Sequence, residues 1–354
     1  MIFWFQSEKY INKAVWKMKL INKKILLFAP DFFGYDVEIK SRLEELGAKV
    51  DLYDERPSSN FFVKAAIRIK KELLLSLTEK YFDKILKSNV VKNYDYVFIV
   101  KGEVINSKII RKYKSVFSKA KFVLYLFDSI ENYKSIITCL NYFDVVMSFD
   151  RSDADKYPDI KFRPLFYVHD FESMDNPDDI LNYKNDILFV GTIHSDRWAF
   201  LERVKQESLR LGLRVCYYLY VQSIFIFIFK KIFVKGFKTL KYKDVHFKPI
   251  DKKKLIELTR KSKSVLDIQH PKQSGLTMRT IEVLGAGRKL ITTNKDIVLY
   301  DFYSSDNISV IDRENPQISL EFINSPSKLV DRELLFKYSL TGWLNDVLDL
   351  HEKY

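Results

Sequence analysis

"SVLDIQHPKQSGLTMRTIEVLGAGRKLITT" runs from Ser264 to Thr293. An apolar run ends in a polar loop, and a segment with helical apolar spacing begins near Leu276. Gly285-Ala286-Gly287 closes that segment, and a second apolar run returns from Lys289. Strand, loop, helix, turn and strand in this order form one βαβ unit, the connection that parallel strands require. Caps and turn chemistry account for the glycines. They do not account for Arg279 and Glu282 inside the helical segment.

The same alternation extends outward in both directions. "KILLF" at Lys24, "KVDLY" at Lys49, "YDYVFIV", "KFVLYLF" and "FDVVMSF" read as strands. Between them lie helical patterns from Asp36 to Gly47, from Phe61 to Lys87, from Ser107 and from Asn132. The pattern pauses at Asp170 to Asn185, an acidic stretch poor in apolar residues and containing Pro177. It resumes with "DILFV", a helix from Arg197 to Leu211, "LRVCYYLY", "DVHF", a helix from Asp251, the quoted unit and "ISVI". Continuous apolar strands separated by helices imply parallel sheets covered on both faces. The expected fold class is therefore α/β, with two doubly wound Rossmann-like domains facing across a cleft and a C-terminal helix. The expected divisions are an extension over 1–17, a first domain over 18–168 and a linker over 169–185. A second domain over 186–331 and a helical tail over 332–354 complete the chain. Ligands of such sheets bind beyond the carboxyl ends of the strands.

A chain of 354 residues suits two cores, and 47% hydrophobic residues without low-complexity blocks is a globular composition. The only cysteines, Cys139 and Cys216, lie in apolar segments and read as buried free thiols of a reducing compartment. No Cys/His cluster has metal-ligand spacing. The net charge of +13 is concentrated locally: between Lys230 and Lys261 stand twelve Lys/Arg against three Asp/Glu. Residues 1–17 lack the pattern of a signal peptide and are too broken by charge to span a bilayer. They read as a dispensable extension.

Two loops of the second half carry ligand chemistry. "DILFV" ends on Gly191, followed by Thr192, His194, Ser195 and Arg197, where glycine allows close approach and arginine faces a phosphate as a fork. The loop "QHPKQSG" leads into the helix, so the amides from Ser274 through Gly275 and Leu276 to Thr277 stand at a helix N-terminus that favours an anion, with Lys272 nearby. A phosphate-bearing ligand held there puts its next moiety one turn along, near Glu282. A carboxylate accepts from two adjacent hydroxyls, as on a ribose. An i,i+3 ion pair between Arg279 and Glu282 is the simpler alternative, and the residues alone leave both open.

"SGLTMRTIEVLGAGRKLITTN" resembles the donor-site segment of glycosyltransferases of the GT-B fold, most closely the CgeB-like branch, which also has an Arg three residues before the Glu. "VFIVKGE", "KFVLYLFDSIENY", "FDVVMSFDRSDADKY" and "ILFVGTIHSDR" resemble further segments of that branch in the same order, and the likeness covers roughly residues 24 to 345. The resemblance implies transfer of a sugar from a nucleotide-sugar donor. It implies Glu282 on the ribose, with Thr277, Arg279 and the loop amides near the diphosphate and Gly191, Thr192 and Arg197 across from them. No cofactor and no metal are expected, because a helix dipole and basic side chains neutralise the leaving diphosphate. "DRSDAD" reads as a helix start at Asp150. A second Glu common in retaining members is replaced by Ser274, which leaves the stereochemical course open.

An inverting enzyme needs a base in the first domain. Asp31, Glu103 and Asp128 stand at strand ends as alternatives, each also suited to capping. Gly34 and His169 are acceptor-side candidates. "YYLYVQSIFIFIFKKIFVKGFKTLKYK", Tyr217 to Lys243, combines an apolar run from Ile224 to Phe229 with flanking lysines. It reads as either a core element or an interfacial segment, with Phe225, Phe227, Phe229, Lys230 and Lys231 meeting an anionic membrane surface. The basic stretch from Phe61 adds Lys64, Arg68, Lys70 and Lys71. The aromatics form one apolar block rather than alternating with Arg and Gly, so nucleic acid is not expected as a partner. The expected partners are a nucleotide-sugar donor and a glycan or lipid-linked acceptor. The expected location is cytoplasmic, peripheral on the inner face of the membrane. An epimerase on the same fold and a non-catalytic assembly protein are the alternatives.

Overall fold

The structure, a computed structural model, describes residues 19–57, 71–172, 183–193, 197–269 and 275–351. The extension over 1–17, the basic residues 61–70, His194, Ser195, Lys272 and Ser274 lie outside them. Two compact units form, one from Met1–Pro164 with Leu340–Tyr354 and one from Leu165–Ser339.

The first unit holds a six-stranded parallel sheet in the order β2-β1-β3-β4-β5-β6. Its strands are β1 (Lys24–Phe28), β2 (Lys49–Tyr53), β3 (Tyr96–Val100), β4 (Lys121–Leu126), β5 (Val145–Ser148) and β6 (Lys161–Phe162). The helices between them are α1 (Tyr35–Glu45), α2 (Lys71–Asn89), α3 (Ser107–Val116) and α4 (Arg151–Lys156). The expected strands "KILLF" and "KVDLY" appear residue for residue. The expected helix from Asn132 is instead two 3-10 segments, Ile130–Asn132 and Lys134–Tyr142. Asp150 caps α4, accepting from the Ser152 N–H. One face of the core gathers Phe28, Phe82, Val97, Ile110, Tyr113 and Phe122.

The last helix of this unit, α11 (Leu340–Val347), brings Trp343 fully inside. Its ring lies 4.7 Å from Tyr125 and 5.9 Å from Phe98, and Asp346 pairs with Arg163 at 2.5 Å.

The second unit holds another all-parallel sheet, ordered β12-β11-β10-β7-β8-β9. It comprises β7 (Asn185–Thr192), α5 (Arg197–Arg210), β8 (Val215–Tyr220), α6 (Ile224–Phe233), β9 (Val245–His246) and α7 (Lys252–Arg260). Then follow β10 (Ser262–Asp267), α8 (Met278–Gly285), β11 (Lys289–Thr292), β12 (Ile308–Val310), α9 (Leu320–Asn324) and α10 (Arg332–Tyr338). Ile187, Leu201, Val204, Leu219, Leu266 and Ile291 lie in its core. At the amino end of the sheet, Asp186 is clamped by Arg214 and Lys263, each at 3.0 Å. Burial works against its charge, but the two cations outweigh burial and hold the carboxyl at about 2. Cys139 is buried as expected, whereas Cys216 is only half-buried, because β8 is not fully covered.

Candidate functional site

Strand order locates where each sheet can receive a ligand. In the second unit the chain leaves β7 toward β8 on one side and reaches β10 on the other, so the switch point lies between β7 and β10. Arg197, the first residue of α5, spans that point. Its Nη1 donates to the Thr192 carbonyl at 3.0 Å and its Nη2 donates to the Ile268 carbonyl at 2.8 Å. The guanidinium fork expected to face a phosphate thus also ties the two loops together. Gly191 is hemmed by its own strand, because an added Cβ would stand 2.8 Å from the Phe189 ring.

β10 ends on Asp267, which is buried. Its Oδ2 accepts from the Thr277 hydroxyl at 2.9 Å and the Thr280 hydroxyl at 2.8 Å. Thr277 in turn caps α8, its Oγ1 accepting from the Thr280 N–H at 3.2 Å. Gly275 and Leu276 are buried immediately before it. One turn along, Glu282 is buried and its Oε2 accepts from Arg279 Nη1 at 2.8 Å. The i,i+3 pair is therefore present, but on a buried face rather than a solvated one. Arg279 Nε is buried with no hydrogen-bond partner among the described residues. Gly285 accommodates the ring of Tyr167, since a Cβ there would stand 2.4 Å from Tyr167 Cγ.

The first unit has its own switch point between β1 and β3. After β1 come Asp31, which is exposed, the exposed pair Phe32 and Phe33, and Gly34, which precedes α1 in the left-handed region at φ 76°. Beyond β3, Lys101 and Gly102 both take positive φ, 92° and 75°. A Cβ on Gly102 would also meet Leu124 at 3.0 Å, so this position needs glycine for both backbone and space. Glu103 pairs with Lys101 at 2.8 Å. Burial lowers the Lys101 affinity for its proton, but Glu103 and its neighbours outweigh that and raise the pKa.

Glu55, from the loop after β2, is wholly buried and accepts from the Gly102 N–H at 2.8 Å and the Val104 N–H at 3.1 Å. Burial pushes its carboxyl up to about 7 despite those two bonds. Asp36 in the first turn of α1 is half-buried, and burial together with the Asp31 and Asp54 carboxylates raises its pKa. Asp128 accepts from the Ser129 N–H at 3.0 Å and from Asn132 Nδ2 at 2.7 Å, so it shapes its own turn.

The structure therefore gathers Gly191, Thr192 and Arg197 with Gly275, Leu276, Thr277, Arg279 and Glu282 at one end of one sheet. It places Asp31, Gly34 and Glu103 at the corresponding end of the other. His169 is exposed in a 3-10 turn and paired with Glu172 at 2.5 Å. The run at Ile224 is a helix, α6. Phe225 and Phe229 face outward, whereas Phe227 is buried. Lys230 and Lys231, expected to meet headgroups, turn inward instead: their Nζ atoms donate to the carbonyls of Ile193 and Leu240. Sequence reasoning missed Asp267, Asp36 and Glu55. Asp267 was signalled by a carboxylate closing an apolar strand; nothing in "DERP" marks Glu55 as buried.

No family model matches the chain, and no curated protein matches it. Solved structures do. An α-glucosyltransferase in complex with UDP and a 13-mer DNA containing a central A:G mismatch aligns at TM-score 0.56 and 16% identity, over 93% of this chain and 96% of that one. Alr3699/HepE of Anabaena, in complex with UDP and glucose, aligns at 0.52 and 12%, over 93% and 96%. A putative UDP-N-acetylglucosamine 2-epimerase from Listeria monocytogenes aligns at 0.50 and 10%, over 92% and 95%. At these identities the likeness is one of fold: the chain has the two-domain α/β architecture of the GT-B glycosyltransferases.

Proposed function

We propose that the chain is a metal-independent glycosyltransferase of the CgeB-like type. In this reading it moves a sugar from a nucleotide-sugar donor to a glycan or lipid-linked saccharide in cell-surface polysaccharide biosynthesis. One observation carries the reading: buried Glu282 stands one turn into a helix that starts beside the β7/β10 switch point, paired with Arg279. The diphosphate would lie at the start of α8, where amides and dipole favour an anion, with Arg279 adding charge. Glu282, oriented by Arg279, would accept from the ribose hydroxyls. Arg197 would act chiefly by fixing the two loops that border the phosphates. Leaving-group charge would be met by the α8 dipole and Arg279, which is why no metal is invoked. On the acceptor side a half-buried carboxylate with a raised pKa suits a base, and Asp36 has its Oδ1 buried without a partner among the described residues. Glu103 is instead paired with Lys101, Asp128 holds its own turn and Asp31 is exposed.

Two of the solved structures hold UDP, so UDP is the first nucleotide to try. Added UDP is expected to raise the melting temperature, to do so equally in EDTA, and to have no effect on Glu282→Ala. An unchanged shift in that variant removes the ribose assignment. The epimerase-like fold supports a second reading, separable by incubation with a UDP-sugar alone. Conversion to an isomeric UDP-sugar without an acceptor would select it, and release of UDP only with an acceptor selects transfer.

A further inference from the structure

Helix α6 is amphipathic with its faces reversed. Ile224, Phe225, Ile228, Phe229, Ile232 and Phe233 occupy one continuous half of its surface, and all six are exposed, Phe225 by 79% and Phe233 by 69%. The opposite half packs inward through Phe227 and the stems of two lysines. Lys230 Nζ donates to the Ile193 carbonyl and lies 5.1 Å from the Phe237 ring, while Lys231 Nζ donates to the Leu240 carbonyl at 2.7 Å. Burial lowers the Lys230 pKa, so this inward cation opposes rather than assists burial of that face. A surface helix in water ordinarily places its cations outward and its phenylalanines inward. Six such side chains expose on the order of 600 Å², at the upper end of what a monomer shows without a partner.

The segment after α6 is cationic. It packs against the inward face of the helix, with Tyr242 and Phe247 each 6.1 Å from the Phe227 ring. That segment carries Lys238, Lys241, Lys243 and Lys248, all exposed. A protein partner of ordinary surface composition satisfies the apolar face but not four exposed lysines in the segment packed under the same helix. An anionic bilayer satisfies both, with acyl boundary for the isoleucines and phenylalanines and headgroup charge for the lysines. No helix among the described residues is long and apolar enough to cross a membrane, so contact would be interfacial.

We infer that α6 is a membrane-docking helix that lies in the surface of an anionic bilayer, inserting Ile224, Phe225, Ile228, Phe229, Ile232 and Phe233 while Lys238, Lys241 and Lys243 engage the headgroups. Lys230 ties this helix to Ile193, one residue beyond the loop-forming end of β7, so the docked helix and the proposed donor loop share a support. The inference stands on the exposed helix alone and does not require the nucleotide reading.

The test is flotation of the full chain with phosphatidylcholine vesicles, with and without a one-third share of phosphatidylglycerol. Wild type is expected to float with the anionic vesicles and to release in high salt. Phe225→Ser/Phe229→Ser/Phe233→Ser and Lys238→Gln/Lys241→Gln/Lys243→Gln should each bind at least tenfold more weakly. Because these side chains are exposed, melting temperature and the UDP-induced shift should match wild type, which keeps this test separate from that of the nucleotide site. Flotation of the serine variant equal to wild type overturns the proposal, as does failure of wild type to float. A concentration-dependent dimer that the serine variant dissolves, without vesicle binding, overturns it in favour of a second copy of the chain.

Discussion

The two sheets solve the same problem with opposite charges. Where β7 and β10 part, a cation closes the gap: Arg197 donates to a carbonyl from each loop. Where β1 and β3 part, a carboxylate does so: Glu55 accepts from two amides of the loop after β3. Strand ends expose carbonyls in one loop and amides in another, and the charge of the staple follows from which is presented. The difference has a chemical consequence. An arginine stays charged at any ordinary pH and leaves positive potential at the second-unit switch point. A buried glutamate is titratable, and its charge state is part of how that loop is held.

Breaking the cationic staple should have the largest effect. Arg197→Met removes two hydrogen bonds from a charged donor, each worth about 1.5–3 kcal/mol. A loss of about 3 kcal/mol in urea unfolding is expected, with a UDP-induced thermal shift that falls below detection. Arg197→Lys, a single-point donor, should recover part of the stability only.

The anionic staple should respond to pH. The carboxyl of Glu55 lies at about 7 in the folded chain against an ordinary 4.5, so the folded state holds the proton more tightly in between. Stability should therefore fall as pH rises from about 4.5 to about 7, by about 3 kcal/mol at most. Lys101 moderates this and Glu103 adds to it. Glu55→Gln keeps the shape of the protonated carboxyl but cannot ionise. The stability difference between variant and wild type should thus grow in the variant's favour across that window. A constant difference would mean that Glu55 does not titrate there.

The smallest effect is expected at Asp267, which holds Thr277 and Thr280 through one oxygen. Asp267→Asn retains an acceptor, so a loss of about 1 kcal/mol and a modestly weaker UDP shift are expected.

Strands such as "KILLF" were legible because both faces of a parallel sheet are buried, so each reads as an unbroken apolar run. β6 is only two residues long, Lys161–Phe162, and a pattern needs more residues than that. The segment Lys134–Tyr142 has helical apolar spacing yet winds as 3-10, because three- and four-residue spacings mark the same face. At the site, the positions of Glu282 and Arg279 could be read from the helix they share. Glu55 could not, since its burial depends on a loop reached across β1. Nor could the inward turn of Lys230 and Lys231, because composition does not say which side of a helix the rest of the chain covers.

Trp343 and its helix complete the first unit, although they follow the whole of the second in sequence. The second unit is thus an insertion, and its two ends are stitched together where the Tyr167 N–H donates to the Tyr338 carbonyl at 2.9 Å. On the ribosome the inserted unit can close as soon as Ser339 emerges. The first unit waits with Phe98 and Tyr125 uncovered until Trp343 has been made. A stop just after Ser339 would leave the second unit intact and deprive the first of the Trp343 ring that caps its core. Excision of 165–339 as one piece should yield a foldable module, whereas the first unit needs its two segments rejoined.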